Sequence, residues 1–147
     1  MLELRGVNTF YGSIPALRDV SLSVREGEIV TLIGANGAGK TTTLMTVCGG
    51  IQPRSGEILY EGKPIHRTRP NEIVRMGISQ VPEGRLIFPE LTVQENLDMG
   101  AFLRRDRDGI RRDMDYIFAL FPILAQRRRQ AGGTLSGGEQ QMLAIAR

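Results

Sequence analysis

The apolar positions of the first third of the chain follow two different rhythms. LELRGV (residues 2–7) and VSLSVREGE (20–28) alternate apolar and polar residues. A period of two marks a strand with one wet face, and the two stretches predict an antiparallel pair. EIVTLI (28–33) is instead nearly continuous in apolar residues, the pattern of a strand covered on both faces. A glycine-rich turn follows, then a helix from about Lys40 to Cys48. SGEILYEGKPI (55–65) reads as a short hairpin turning near Glu61 and Gly62. RPNEIVRMG (69–77) reads as a short helix ending at Gly77, and ISQV (78–81) as a further buried strand.

From about Thr92 the pattern is helical. TVQENLDMGAFL (92–103) and GIRRDMDYIFALFPIL (109–124) repeat at helical spacing, with Phe118, Leu120 and Phe121 on an apolar side. The division is expected near Pro89, between an α/β core portion (1–88) and a helical part (89–147). The last stretch, TLSGGEQQMLAIAR (134–147), opens a helix: Ser136 and Glu139 stand three apart as a capping box, and Met142, Leu143 and Ala146 supply an apolar face. It carries a start signal and no stop signal, so the chain reads as cut within an element.

Composition changes this picture little. The 147 residues, 41% apolar and 24% charged, suit one soluble domain with a real core. The single Cys48 excludes an internal disulfide and reads as a buried helical residue rather than a catalytic thiol. MLELRGVNTF has no signal-peptide pattern, and no apolar run approaches the ~18 residues of a membrane span. A cytosolic chain is expected. The net charge of +3 is concentrated in arginines at 104, 105, 107, 111, 112 and 127–129. Asp106, Asp108, Asp113 and Asp115 lie among them and no aromatic is interleaved, so a solvated helix face is preferred over a nucleic-acid patch. His66 is alone and reads as a solvated loop residue.

The chemistry is concentrated in two motifs. GANGAGKTT (34–42) fits G-x-x-x-x-G-K-[ST] in full, between an apolar run and a helix. Gly34, Gly37 and Gly39, with Ala35, Asn36 and Ala38 between them, let the backbone curl until successive N–H groups face a phosphate chain. The positive end of the following helix adds to that field. Lys40 is placed to reach the β- and γ-phosphates, Thr41 to ligate Mg²⁺, and Thr42 to add a further contact. This motif leaves GTPases, kinases and ATPase motors open. LSGGEQQ (135–141) decides between them: it is identified as the signature sequence of the ATP-binding cassette (ABC) family.

That resemblance implies a P-loop NTPase of the ABC type, an α/β fold with an antiparallel strand layer and a helical subdomain, here incomplete at its C-terminus. It implies that Leu135, Ser136, Gly137, Gly138, Glu139 and Gln140 grip the γ-phosphate of ATP held by a second ABC ATPase subunit in a head-to-tail dimer. Tyr11, in FYGS, matches the aromatic that stacks on adenine. Glu83 falls where the family usually has a glutamine that touches Mg²⁺ and the attacking water. Glutamate can still ligate the metal, but it adds negative charge and donates no hydrogen bond when ionised. Lys40 and Glu83 are thus the expected catalytic residues, and Thr41 and Glu83 the expected metal ligands.

VPEGR (81–85) and IFPELTV (87–93), with the two motifs around them, closely resemble ATP-binding subunits of bacterial branched-chain amino-acid importers. Urea- or amide-importer ATPases are the near alternative; a soluble non-transport ABC protein and a noncatalytic nucleotide-binding module are the distant ones. The implied partners are a second, different ATPase subunit, two membrane permeases docking near residues 83–88 and, indirectly, an extracytoplasmic binding protein, with no nucleic acid. The implied location is cytoplasmic, peripheral on the inner face of the membrane, and the implied cofactors are ATP and Mg²⁺. The family's second acidic motif, water-activating Glu and switch His are absent from the 147 residues. This chain alone is therefore expected to be nearly inactive, aggregation-prone and at best a weak nucleotide binder.

Overall fold

In the computed structural model, which describes Met1–Arg147, the chain divides into two units, Met1–Gln80 and Val81–Arg147. The first is built on a four-stranded antiparallel sheet of order β2-β1-β3-β4, with β1 Leu2–Tyr11, β2 Ile14–Val24, β3 Ser55–Tyr60 and β4 Lys63–Pro64. The expected β1–β2 pair and the hairpin both form. Glu61 (φ 51°) and Gly62 (φ 75°) make the hairpin turn between Tyr60 and Lys63, positive φ at both positions matching the right-handed twist of the flanking strands.

Strict alternation in β1 would place Leu4 and Val7 on opposite faces, yet both are fully buried. The register shifts between them, and this irregularity turns both inward. Gly6, at φ 55°, occupies it. Its N–H donates to Ser21 Oγ (2.9 Å), and its carbonyl accepts from Asn8 Nδ2 (2.9 Å). Leu4, Val7, Leu17, Val47, Ile58 and Ile65 form the core of this unit.

Helix α1 (Lys40–Val47) buries threonines as well as Val47. Buried hydroxyls are tolerable only when hydrogen-bonded. Thr46 Oγ1 donates to the Thr42 carbonyl (2.7 Å) and meets Thr9 Oγ1 at 3.3 Å; Thr43 Oγ1 donates to the Gly39 carbonyl (2.9 Å). Cys48 caps this helix half-buried, and burial pushes its thiol pKa up. Helix α2 (Pro70–Arg75) starts on Pro70 and is followed by Gly77 at φ 96°.

Two apolar runs expected as buried strands are corrected. EIVTLI is not a buried strand: Ile29 is 95% and Ile33 93% exposed, and residues 28–33 join no ladder. ISQV likewise pairs with nothing, and Val81, at its end, is exposed. A strand exists only through its partners, because its N–H and C=O groups bond across to a neighbour. Neither segment has such a partner in this structure. His66 also departs from expectation: it is half-buried, with Nδ1 enclosed and unpaired.

The second unit contains α3 (Val93–Gly100), α4 (Arg107–Leu120), α5 (Pro122–Gln126), a 3₁₀ turn at Gly132–Thr134 and α6 (Gly137–Ala146). Its core joins Val93, Leu97, Leu124, Leu135 and Leu143. Residues 109–124 make two helices because Pro122 lacks an N–H and drives the residue before it from helical geometry; Phe121 sits at φ −125°, ψ 74°. Phe118 and Phe121 pack on the core as expected, but Leu120, about 200° round the helix from Phe118, is exposed. Arg104 pairs with Asp106 and Asp113, as the interleaved charges suggest, and holds the Asp106 carboxyl down to about 2.

The tightest backbone approach in the sheet is at Gly56, at φ 89°: a Cβ there would lie 2.4 Å from the Gly6 carbonyl oxygen and 2.6 Å from Val7 Cα. Gly56→Ala must therefore part β1 from β3. We expect a loss of about 2–4 kcal/mol in urea unfolding, whereas Gly62→Ala, with open space around it, should cost only the price of its turn conformation.

Candidate nucleotide site

The first unit places residues 34–42 as an open loop running into α1. Gly37 (φ 84°) and Gly39 (φ 89°) adopt the left-handed conformation that glycine holds without strain. A Cβ on Gly39 would lie 2.7 Å from Leu17 Cδ2 and 3.1 Å from the Ala16 carbonyl of β2, so the loop is seated against that strand at its glycine. Gly39 is also the N-cap of α1 and provides no side-chain acceptor for the first turn. The first N–H groups of a helix lack intrahelical partners, and the N-cap side chain supplies none here. Lys40 Nζ donates to the carbonyls of Gly34 and Ala35, both at 2.8 Å. The ammonium thus lies folded over the loop it is expected to serve.

Residues 34–38 and Thr41 are exposed, Gly39 and Lys40 half-buried, and Thr42 buried at 9%. Of the two threonines, it is Thr41 that stands open to solvent. The glycine curl, the uncapped helix start and the lysine form a donor set that fits a polyphosphate. No three His, Cys, Asp or Glu side chains cluster to hold a metal ion by themselves. Tyr11 ends β1, pairs with Ile14 at the start of β2 and is half exposed. Beside it, Arg54 stacks 3.9 Å from the Phe10 ring centroid and donates to the Gly12 carbonyl (2.9 Å), which stiffens the β1–β2 turn.

The second unit places the other motif at the start of α6. Ser136 is the N-cap: its Oγ accepts from the Glu139 N–H (3.4 Å), and Glu139 Oε2 accepts from the Ser136 N–H (2.8 Å). The expected capping box is present. Leu135 is buried and anchors it, whereas Gly137 and Gly138 are exposed on the first turn. Arg127 Nη1 adds an ion pair to Glu139 Oε2 (3.1 Å). Gln140 Nε2 donates to the Leu135 carbonyl (3.1 Å) and leans on those of Gly133 and Gly132 (3.4 and 3.5 Å). Glu83 lies in an exposed turn with Gly84.

A model of the family described as ABC transporter matches residues 17–147. The chain belongs to the ABC transporter family. It is 55% identical over 147 residues to the high-affinity branched-chain amino acid transport ATP-binding protein BraG of Pseudomonas aeruginosa, covering all of this chain and 63% of that protein. It is 34% identical to the probable branched-chain amino acid transport ATP-binding protein LivF of Archaeoglobus fulgidus, covering 99% of this chain and 61% of that protein. The chain thus spans somewhat over three fifths of these relatives. Among solved structures, a dimeric post-hydrolysis state of an ATP-binding cassette bound to ADP and Pi superposes with a TM-score of 0.83 at 25% identity. It covers 99% of this chain and 68% of that one.

In this ABC chain several supporting residues were not evident from motif reading. Asn96 is fully buried; its Oδ1 accepts from the Phe88 N–H (2.8 Å) and its Nδ2 donates to the carbonyls of Phe88 (2.9 Å), Thr92 (3.0 Å) and Leu91 (3.2 Å). It ties the segment after Glu83 to α3. The start of α3 is a second capping box, Thr92 with Glu95, for which the T-x-x-E spacing is a sequence signal. Nothing in the sequence singles out Arg85 or Arg127.

The capping hydrogen bonds from Ser136, with the charge of Arg127, hold the Glu139 carboxyl below its usual 4.5. A depressed native pKa means that the unfolded chain binds more protons in this window, so stability rises with pH. The contribution is complete above pH 4.5 and is lost as pH falls through the lower native value. Glu139→Gln should flatten that part of the acid limb in thermal melts between pH 3 and 5; an unchanged acid limb would separate Glu139 from the helix start.

Proposed function

We propose that this chain carries the nucleotide-binding part of an ATP-hydrolysing subunit that energises import of branched-chain amino acids. The observation that carries the reading is the pairing of two helix starts: an uncapped one behind the phosphate loop and a glycine-bearing capped one at LSGGEQQ. The 55% identity to BraG along the whole chain supports the substrate class. In this reading Gly34–Thr42 hold the phosphates of one ATP. Lys40 exchanges two loop carbonyls for phosphate oxygens, and Tyr11 stacks on adenine. Leu135–Gln140 present Gly137 and Gly138 to the nucleotide of a second ATPase subunit, in a dimer of the kind that the similar cassette forms.

Bound Mg²⁺ would neutralise phosphate charge, with the Thr41 hydroxyl and Glu83 as the chain's own ligands. Glu83, as carboxylate, would orient water only by accepting its protons. In this reading a core portion and a helical subdomain give each motif its own support, with residues 81–88, expected in the core portion, falling in the second structural unit. Two membrane permeases docking near residues 83–88, an extracytoplasmic binding protein and a position on the inner face of the membrane complete the proposal. The glutamate at position 83 favours amino-acid over urea importers, which tend to have glutamine there.

With the assembled transporter in vesicles, leucine uptake should require ATP, and Lys40→Ala should reduce both uptake and phosphate release at least about a hundredfold, as expected for losing a charged contact to the transferred phosphoryl group. Uptake of urea but not leucine would move the assignment to the other importer class. ATP binding without turnover would point to the noncatalytic module.

A further inference from the structure

The stretch PEGRLI (82–87) lies one residue into the second unit and precedes α3. Its backbone is unusual. Gly84, Arg85 and Leu86 all have positive φ, at 79°, 67° and 46°, and the Leu86 N–H closes back onto the Gly84 carbonyl at 2.7 Å. This is a γ-turn of the rarer, strained hand with Arg85 at its centre. Glycine holds such a φ freely, whereas arginine does so at a cost. A non-glycine residue kept in this conformation directs attention to what its side chain does.

The half-buried guanidinium of Arg85 points to the start of α6. Nη1 donates to Gln140 Oε1 at 3.2 Å. Its Nη2 lies so close to the first glycine of the signature that a Cβ on Gly137 would fall 3.1 Å from it. Gln140 is the hub of the loop leading into the helix: its Nε2 faces the Gly132, Gly133 and Leu135 carbonyls, and its backbone N–H donates to the Ser136 carbonyl (2.9 Å). An amide can present either end, but a guanidinium only donates. Arg85 therefore holds Oε1 outward and keeps the NH₂ group on the three carbonyls. Without it the amide is free to turn its acceptor against acceptors.

We propose that Arg85 is a positioning residue for the signature glycines. Through Gln140 it sets the loop 132–135 and the first turn of α6, and it ties them to the turn that carries Glu83, two residues away. A side chain at 137 would press on the guanidinium, which would have to yield by a few tenths of an ångström. This assignment rests on the reading of Gly137 and Gly138 as phosphate-facing groups of an ATPase.

The test uses the assembled transporter and the variant Arg85→Gly, which removes the guanidinium while relieving the backbone. The expected result is an unchanged or raised Tm, a Kd for a fluorescent ATP analogue within about twofold of wild type, and kcat lowered about tenfold, the scale of one charge-assisted hydrogen bond. Gln140→Leu should lower kcat similarly, and the double variant should be no slower than the slower single one, because both remove the same contact. Arg85→Lys should recover part of the loss. A wild-type kcat in Arg85→Gly, multiplicative losses in the double variant, or a fall in Tm that accounts for the lost activity would each overturn the proposal. Lys40→Ala and Ser136→Arg serve as controls on the underlying reading: if both turn over ATP like wild type, it is the ATPase assignment that fails, whatever Arg85 does.

Discussion

A helix cannot satisfy the N–H groups of its own first turn, and both functional motifs of this chain are built on that constraint. They resolve it in opposite ways. At α1 the N-cap is Gly39, which offers no side-chain acceptor, and the loop before it is curled by glycines at positive φ. The loop lies open ahead of the helix, and the Lys40 ammonium donates to the Gly34 and Ala35 carbonyls. At α6, Ser136 and Glu139 satisfy two donors reciprocally, which fixes the helix start, and the exposed glycines that follow keep their backbone approachable. One end is an acceptor-hungry cradle; the other is a rigid, low-profile lip.

The remaining structure holds these two ends still. The phosphate loop is seated where Gly39 meets Ala16 and Leu17 of β2. That strand is held by a sheet whose close contacts occur at Gly6 and Gly56. Threonines that bond to one another or to carbonyls line the inner face of α1, so the helix is buried without a greasy surface. In the second unit, buried Leu135 and Leu143 root the signature helix. Asn96 replaces water for three carbonyls and an N–H of the preceding segment, and a buried amide so fully paired adds rigidity rather than cost.

What could be read from the sequence follows how local each determinant is. The hairpin at Glu61–Gly62 and the capping box at Ser136–Glu139 were legible because each depends on residues within a few positions. So was the glycine-rich turn that leads into a helix beginning at Lys40. EIVTLI failed as a strand prediction because strand formation depends on neighbours, and its apolar run records only what the segment would prefer to be covered by. Leu120 departs from the expected apolar side because two residues after Phe118 is about 200° round the helix, which turns it to solvent. The fully buried Asn96 and the Arg85–Gln140 contact, 55 residues apart, had no local signal. Folding alone brings these partners together.

The central claim is that one chain presents two halves of ATP sites, each facing a different nucleotide. Vanadate trapped with ADP in place of the γ-phosphate cleaves nearby backbone on illumination, and it reports on both halves at once. In the assembled dimer this chain should be cut within residues 34–42 and also within 136–138. The second cut should disappear when the partner subunit is made unable to bind nucleotide, while the first persists. Cleavage confined to residues 34–42, or a cut at 136–138 that survives loss of the partner's nucleotide, would contradict the account.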